Sequence, residues 1–181
     1  LEGWVNIPRG QLEGLCALQN SFGMIKGDGM NLVQIRDLVV KTRQIDPNKQ
    51  KQDSFFYIDI SSVDKDTKRI TAPQFLSVYD APSRARKEIK AKDVLVATVR
   101  PNLNGVALVP PQYDNQIAST GFCVLRGNEK LIDPTYLFYY TQTSCFIARL
   151  SKLSIGAGYP AVSDDNILDT KIPLLPLPEQ Q

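Results

Sequence analysis

The hydrophobic pattern along the chain changes character at Phe55. Before it, residues 1–30 are weakly patterned and punctuated by Gly3, Gly10, Gly14, Gly23, Gly27 and Gly29, which reads as a lead-in segment with at most a short helix around 12–18. Residues 32–40, LVQIRDLVV, either open the sheet or form a short helix, and 41–54 are polar, with the turn signal Asp46-Pro47-Asn48, so they predict an exposed loop. From Phe55 the period becomes two. Phe56, Ile58 and Ile60 alternate with Tyr57, Asp59 and Ser61, which predicts a strand with one apolar and one polar face. Asp64-Lys65-Asp66 then turns the chain, and 70–79 adds a short strand. Residues 94–99, VLVATV, form an unbroken β-branched run that suits a strand buried on both faces. Residues 106–109 are its hairpin partner across RPNLNG, and 117–125 predict a further strand.

Asp133-Pro134 has the chemistry of a helix start, an acceptor at the N-cap followed by proline at the first helical position. The helix should run to about 150, with Leu137, Tyr140, Ile147 and Leu150 on one face. A loop with Gly156 and Gly158 follows, and the prolines of IPLLPLP at 172–178 allow only an edge or extended segment. There is no internal repeat. The pattern predicts one α+β domain over 31–181, with a twisted mixed or antiparallel sheet of short strands and a few helices, preceded by a lead-in or the tail of another domain over 1–30.

Composition narrows the function classes. The 181 residues are 43% hydrophobic, enough for a sizeable core, yet no stretch approaches the roughly 18 apolar residues of a membrane-spanning helix. Glu2, Arg9 and Glu13 break any leader-like apolar run. The first residue is Leu and the last are Glu179-Gln180-Gln181, so both ends read as cut. The chain holds no histidine, which removes Ser-His-Asp and Cys-His catalysis and imidazole zinc sites. Cys16, Cys123 and Cys145 are odd in number and widely spaced, which points to reduced thiols in a cytoplasmic protein. The net charge is +2, from 21 basic and 19 acidic residues, so any affinity for a polyanion must come from local clustering.

One such cluster is RARKEIKAK at 84–92: Arg84, Arg86, Lys87, Lys90 and Lys92 surround Glu88. Pro82-Ser83 would start a short turn that presents these cations to phosphates; a solvated surface loop explains them as well. In RPNLNG at 100–105, Arg100 and Asn102 have the donors that pair with guanine and adenine, although Asn104-Gly105 is better read as plain turn chemistry. Ser119-Thr120-Gly121 suits either a strand bulge or backbone lying close to a ligand. Tyr159 ends a glycine loop and could bond a phosphate or a base edge, or belong to a mobile connector. Asp164-Asp165 lacks a third ligand and suits a helix N-terminus better than a metal.

The order of these segments carries a resemblance. FYIDISSVD (56–64), APSRARKEIKAKDVLVATVRPNL (81–103), IASTGFCVL (117–125), PTYLFYY (134–140), GYPAVSDDNI (158–167) and IPLLPLPEQ (172–180) follow one another as in the target-recognition domain of type I restriction-modification specificity subunits. The likeness covers about 32–181, with Leu175 standing where the family commonly has proline, and it fades over 1–30. It implies a domain that docks on one half of a bipartite duplex DNA site. It also implies partnership with an adenine-N6 methyltransferase subunit and an ATP-driven restriction subunit, no cofactor of its own, and a spacer helix after Pro-Glu-Gln. With the resemblance, DNA contact is the better reading of Arg84, Arg86, Lys87, Lys90, Lys92 and Tyr159, with Arg100, Asn102, Ser119 and Thr120 as further candidates.

Rival readings are weaker. Asp80 with Glu88-Ile89-Lys90 mimics a metal-dependent nuclease, but the triplet precedes the buried strand instead of ending one. Val109-Pro110-Pro111-Gln112-Tyr113 lacks the leading polar residue of an adenine methyltransferase motif, and no glycine-rich cofactor loop precedes it. The chain could still be the recognition domain of a fused methyltransferase or restriction enzyme, or a protein-interaction domain with no DNA role.

Overall fold

The computed structural model describes residues 13–14 and 31–181. The expected lead-in over 1–30 and its short helix lie outside these residues, apart from Glu13 and Gly14, which are helical. The architecture is the α+β one expected: two four-stranded sheets face each other, and helices cover the outer face of one of them.

The first sheet has the order β6-β3-β10-β7, built from β3 (Ser54–Ile58), β6 (Gln74–Ser77), β7 (Ala85–Ile89) and β10 (Gln116–Ser119). It is mixed, because β10 runs parallel to β3 and antiparallel to β7. The second sheet has the order β2-β11-β8-β9, from β2 (Val39–Val40), β8 (Val94–Ala97), β9 (Val106–Leu108) and β11 (Phe122–Gly127), all antiparallel. Two ribbons complete the strands: β1 (Leu32–Gln34) with β12 (Lys171–Pro173), and β4 (Val63–Asp64) with β5 (Arg69–Ile70).

The apolar run at β8 is explained by its place between two cores. Val94 and Val96 point to the helices, while Leu95 and Ala97 point to the first sheet. β11 alternates in the same way, with Cys123 and Leu125 towards the helices and Phe122 and Val124 towards the first sheet. The helical side is filled by α1 (Ile35–Leu38), α2 (Pro134–Tyr140), α3 (Ser144–Leu153) and α4 (Asp164–Leu168), which contribute Ile35, Leu38, Tyr136, Leu137, Tyr140, Phe146, Leu150 and Ile167. A third, smaller cluster of Phe55, Tyr57, Val78, Ala85 and Ile117 covers the far face of the first sheet.

Four expectations are corrected. Residues 117–125 are two strands, not one, because the chain passes from the first sheet to the second at Thr120-Gly121. A Cβ at Gly121 would lie 2.7 Å from Ile60 Cδ1, so a side chain at the crossing would have to push the tip of Ile60 aside. The long helix is broken between α2 and α3. The Thr141 and Thr143 hydroxyls donate back to the carbonyls of Phe138 and Tyr140, the local competition that ends helices. Glu13 supplies the missing cap of α3, accepting from Ser144 N at 3.0 Å and Ser144 Oγ at 2.6 Å. Cys145 is disulfide-bonded, against the expected reduced state, since sequence spacing carries no information on Cα separation; Cys123 is free, and burial raises its thiol well above the ordinary range. Residues 85–89, expected within a turn, are the strand β7.

The C-terminal segment is fastened by side chains as well as by β12. The Tyr136 hydroxyl donates to Pro173 O at 2.7 Å, and burial pushes its pKa up to about 12. Gln180 is fully buried; its Oε1 accepts from Asp133 N at 2.8 Å, and its Nε2 donates to Leu175 O at 2.7 Å. Gln180→Leu keeps the volume but orphans these backbone groups, so we expect a loss of about 1–3 kcal/mol in chemical denaturation. A change below about 0.5 kcal/mol would mean that water replaces the amide.

Candidate nucleic-acid interface

A groove of about 570 Å³ opens at one end of the sandwich, where β3, β8 and β10 finish. Its lining includes Asp59 and Ser61 after β3, Lys65 in the β4–β5 turn, Arg84 before β7, Arg100 after β8, Ser119 on β10, and Tyr159. Residues distant in sequence thus converge because three strand ends lie side by side.

Two clips shape its walls. Arg100 N donates to Pro160 O at 2.7 Å and Val162 N to Thr98 O at 2.9 Å, so the 154–162 loop lies against the end of β8. Gly156 makes that loop's bend at φ +118°, where an added Cβ would meet Tyr159 O at 2.9 Å. On the other side Lys68 Nζ donates to Asn104 O at 2.6 Å, tying the β4–β5 turn to the 100–105 turn. Arg100 itself is left-handed, φ 49°, and its guanidinium stacks 4.4 Å from the Tyr159 ring centroid. Tyr159 is 68% exposed, so this pair faces solvent across the groove mouth.

The basic run 84–92 divides sharply. It is not a turn: residues 85–89 form β7, with a register break opposite Ala118/Ser119 that pairs Ser119 with Ala85 and Ala118 with Lys87. That bulge reverses the alternation, so Lys87 shares the inner position of Ala118 and is buried. Its ammonium meets Asp164 at 2.5 Å. Arg86 pairs with Asp46 at 3.4 Å and Lys92 with Glu129 at 3.2 Å. Arg84 and Lys90 are exposed and form no ion pair among the described residues, and only Arg84 lines the groove. Glu88, the acid of the nuclease-like triplet, is bound by the Arg43 guanidinium at 2.6 and 3.0 Å, which holds its carboxyl below the ordinary value. A carboxylate so engaged is a structural partner, not a cation ligand.

The other expected residues fall into place unevenly. Ser119 is buried in the groove wall, its Oγ accepting from Gly121 N at 3.1 Å. Asn102 and Thr120 are exposed nearby but do not line the groove. Lys65, Asp59 and Ser61 were not singled out from the sequence: Lys65 stood only inside a turn signal, and Asp59 and Ser61 only as polar positions of a predicted strand. Lys65, Arg84 and Arg100 give the groove three cations against Asp59.

The division of the basic run makes a prediction about salt. Arg84→Ala should flatten the log–log salt dependence of duplex binding by about 1 unit, as losing one phosphate contact does. Lys87→Ala should leave that slope unchanged and instead lower stability through lost packing of its buried stem. Equal slope changes in both variants would show that Lys87 leaves Asp164 to reach phosphate.

Fold and groove together define an α+β domain with a cationic groove at one end of a sandwich. Residues 27–181 match the type I restriction modification DNA specificity domain, and the chain belongs to that family. The HsdS subunit of Thermoanaerobacter tengcongensis has a TM-score of 0.79 at 40% identity, covering 88% of this chain and 42% of that one. A second solved structure, described as the basis of complex assembly and conformational transition of the type I R-M system, has a TM-score of 0.78 at 40% identity, covering 84% of this chain and 40% of that one. The specificity subunit of the type I restriction enzyme HindI from Haemophilus influenzae is 28% identical over 94 residues, 50% of this chain and 20% of its own length. The chain therefore spans less than half the length of these relatives.

Proposed function

We propose that this domain reads duplex DNA by sequence, on one half of a bipartite site, as the specificity component of a type I restriction-modification system. The observation that carries the reading is the convergence of Lys65, Arg84, Arg100 and Tyr159 on one groove in a member of a DNA specificity family. Arg84 and the outlying Lys90 supply phosphate contacts, which position the domain; Arg100 and Asn102, with the exposed Thr120 beside them, approach base edges, and the buried Ser119 shapes the groove wall. Arg86, Lys87 and Lys92 act through their ion pairs to hold the surface in shape. The domain performs no catalysis of its own and directs an adenine-N6 methyltransferase subunit and a restriction subunit in the cytoplasm. Among the described residues no helix is long and apolar enough to cross a membrane.

The test is selection from a random duplex pool at low salt, followed by competition at rising salt. Enrichment of one short motif is the expected result. Uniform retention of all sequences, or none, overturns sequence reading. Fusion to a methyltransferase would not alter the outcome, whereas a domain serving protein contacts alone would retain no duplex.

A further inference from the structure

We infer that Asp59 is a base-reading residue of the groove, accepting a hydrogen bond from an exocyclic amino group of cytosine or adenine. The inference rests on the proposed DNA reading and adds to it the one acid among the described residues that line the groove. An anion in a groove for a polyanion weakens binding to every sequence alike, so its presence needs a reason.

The fold does not supply that reason. Asp59 caps the 3₁₀ turn Ile60–Ser62 in a reciprocal box: its N–H donates to Ser62 Oγ at 3.2 Å, and one carboxylate oxygen takes the return bonds. Oδ1 accepts from Ser61 Oγ at 2.7 Å, from Ser62 N at 2.9 Å and from Ser62 Oγ at 2.9 Å. Asparagine would serve as well at such a position, because a cap needs a single acceptor oxygen. The second oxygen, Oδ2, has a longer contact, 3.4 Å, with Gln74 Nε2. Asp59 lines the groove with Lys65, Arg84 and Arg100 but forms no ion pair with any of them. It is not neutral either. Partial burial alone would raise its carboxyl, but the bonds from Ser61 and Ser62 outweigh that and hold it below the ordinary value.

A charged carboxylate with a spare oxygen is an acceptor and nothing else. On the major-groove edge, the donors available to it are the N4 amino group of cytosine and the N6 amino group of adenine. Guanine and thymine present oxygen and nitrogen acceptors there, which a carboxylate repels. Asp59 would therefore select by rejection as much as by attraction, the usual route to specificity. Arg100 suits guanine and Asn102, both donor and acceptor, suits adenine, so without Asp59 the cytosine amino group would be left unread.

Asp59→Asn separates the charge from the cap. The amide oxygen can still accept from Ser62 N, while the amide nitrogen adds a donor that suits guanine and thymine. With the full chain and a random duplex pool, wild type should prefer cytosine or adenine at one position by roughly ten- to hundredfold over the acceptor-only bases. The base preferred shows which amino group is read. In D59N that preference should collapse at that position alone, and affinity for scrambled duplex should rise. Ser62→Ala removes both hydroxyl bonds of the cap but leaves the carboxylate and its bond from the backbone N of residue 62, so it should keep the wild-type preference. An unchanged base profile in D59N overturns the inference, as does the same loss of preference in S62A, which would assign the effect to the turn. If wild type itself selects no sequence, the DNA reading falls, and this inference with it.

Discussion

Asp93→Ala should cost about 3–5 kcal/mol of folding stability, a large share of the roughly 5–15 kcal/mol available to a domain. Asp93 is 1% exposed at the turn before β8, and its carboxylate takes the Arg126 guanidinium in a two-point contact, Nε at 2.8 Å and Nη2 at 2.7 Å. It also accepts from Lys90 N at 2.8 Å, while its carbonyl takes Val109 N at 2.8 Å. Burial pushes this carboxyl up from its ordinary value against the pull of Arg126. The pair therefore contributes little net stability over an apolar replacement, but removing one member strands the other. Urea unfolding followed by circular dichroism measures both statements. The single variants Asp93→Ala and Arg126→Met should each lose several kcal/mol, and the double variant should lose less than the sum. A single-variant loss below about 1 kcal/mol would show that Arg126 swings out to solvent and relaxes.

Much of the second sheet was legible in the sequence because its strands obey one rule. The VLVATV run is unbroken since each face of β8 meets a core, and the β8–β9 hairpin follows from RPNLNG between two apolar runs. The acidic pair at 164–165 also lies where expected, at the start of α4 behind the Ser163–Asn166 capping box. β7 was not legible. Its bulge puts Ala85 and Ile89 in different cores although they are four residues apart, so the alternation that would announce a strand is broken in the middle. Five basic residues then make the segment read as solvated loop. Lys87 finds its partner Asp164 77 residues away, and no local pattern marks such a pairing. The groove was half legible for the same reason. Arg84, Arg100, Ser119 and Tyr159 stood out by residue type and turn chemistry, but Asp59, Ser61 and Lys65 join them only through the alignment of strand ends.

Arg100 should show opposite effects on recognition and on stability. It sits at φ 49°, where a side chain costs roughly 1–2 kcal/mol, held there by the bond to Pro160 O at 2.7 Å. Strain of this kind persists only when the surroundings impose it, and here it aims a guanidinium across Tyr159. Arg100→Gly should therefore stabilise the fold by about 1 kcal/mol while removing a two-point contact to one base, a loss of roughly 1–3 kcal/mol against the selected duplex. Against scrambled duplex the change should be no more than one phosphate contact. Arg100→Lys should fail to restore discrimination, because an ammonium lacks the planar fork. Tyr159 tests whether the stack positions Arg100. Tyr159→Phe keeps the ring and should bind like wild type, whereas Tyr159→Ala should weaken selected duplex by about 0.5–1 kcal/mol. Paired unfolding and binding titrations give both axes. If Arg100→Gly lowers stability, the left-handed turn is held by the side chain and not by the backbone clip. If it gains stability yet retains full base discrimination, Arg100 is not a reading residue, and the base contacts fall to the other side of the groove, around Asp59 and Lys65.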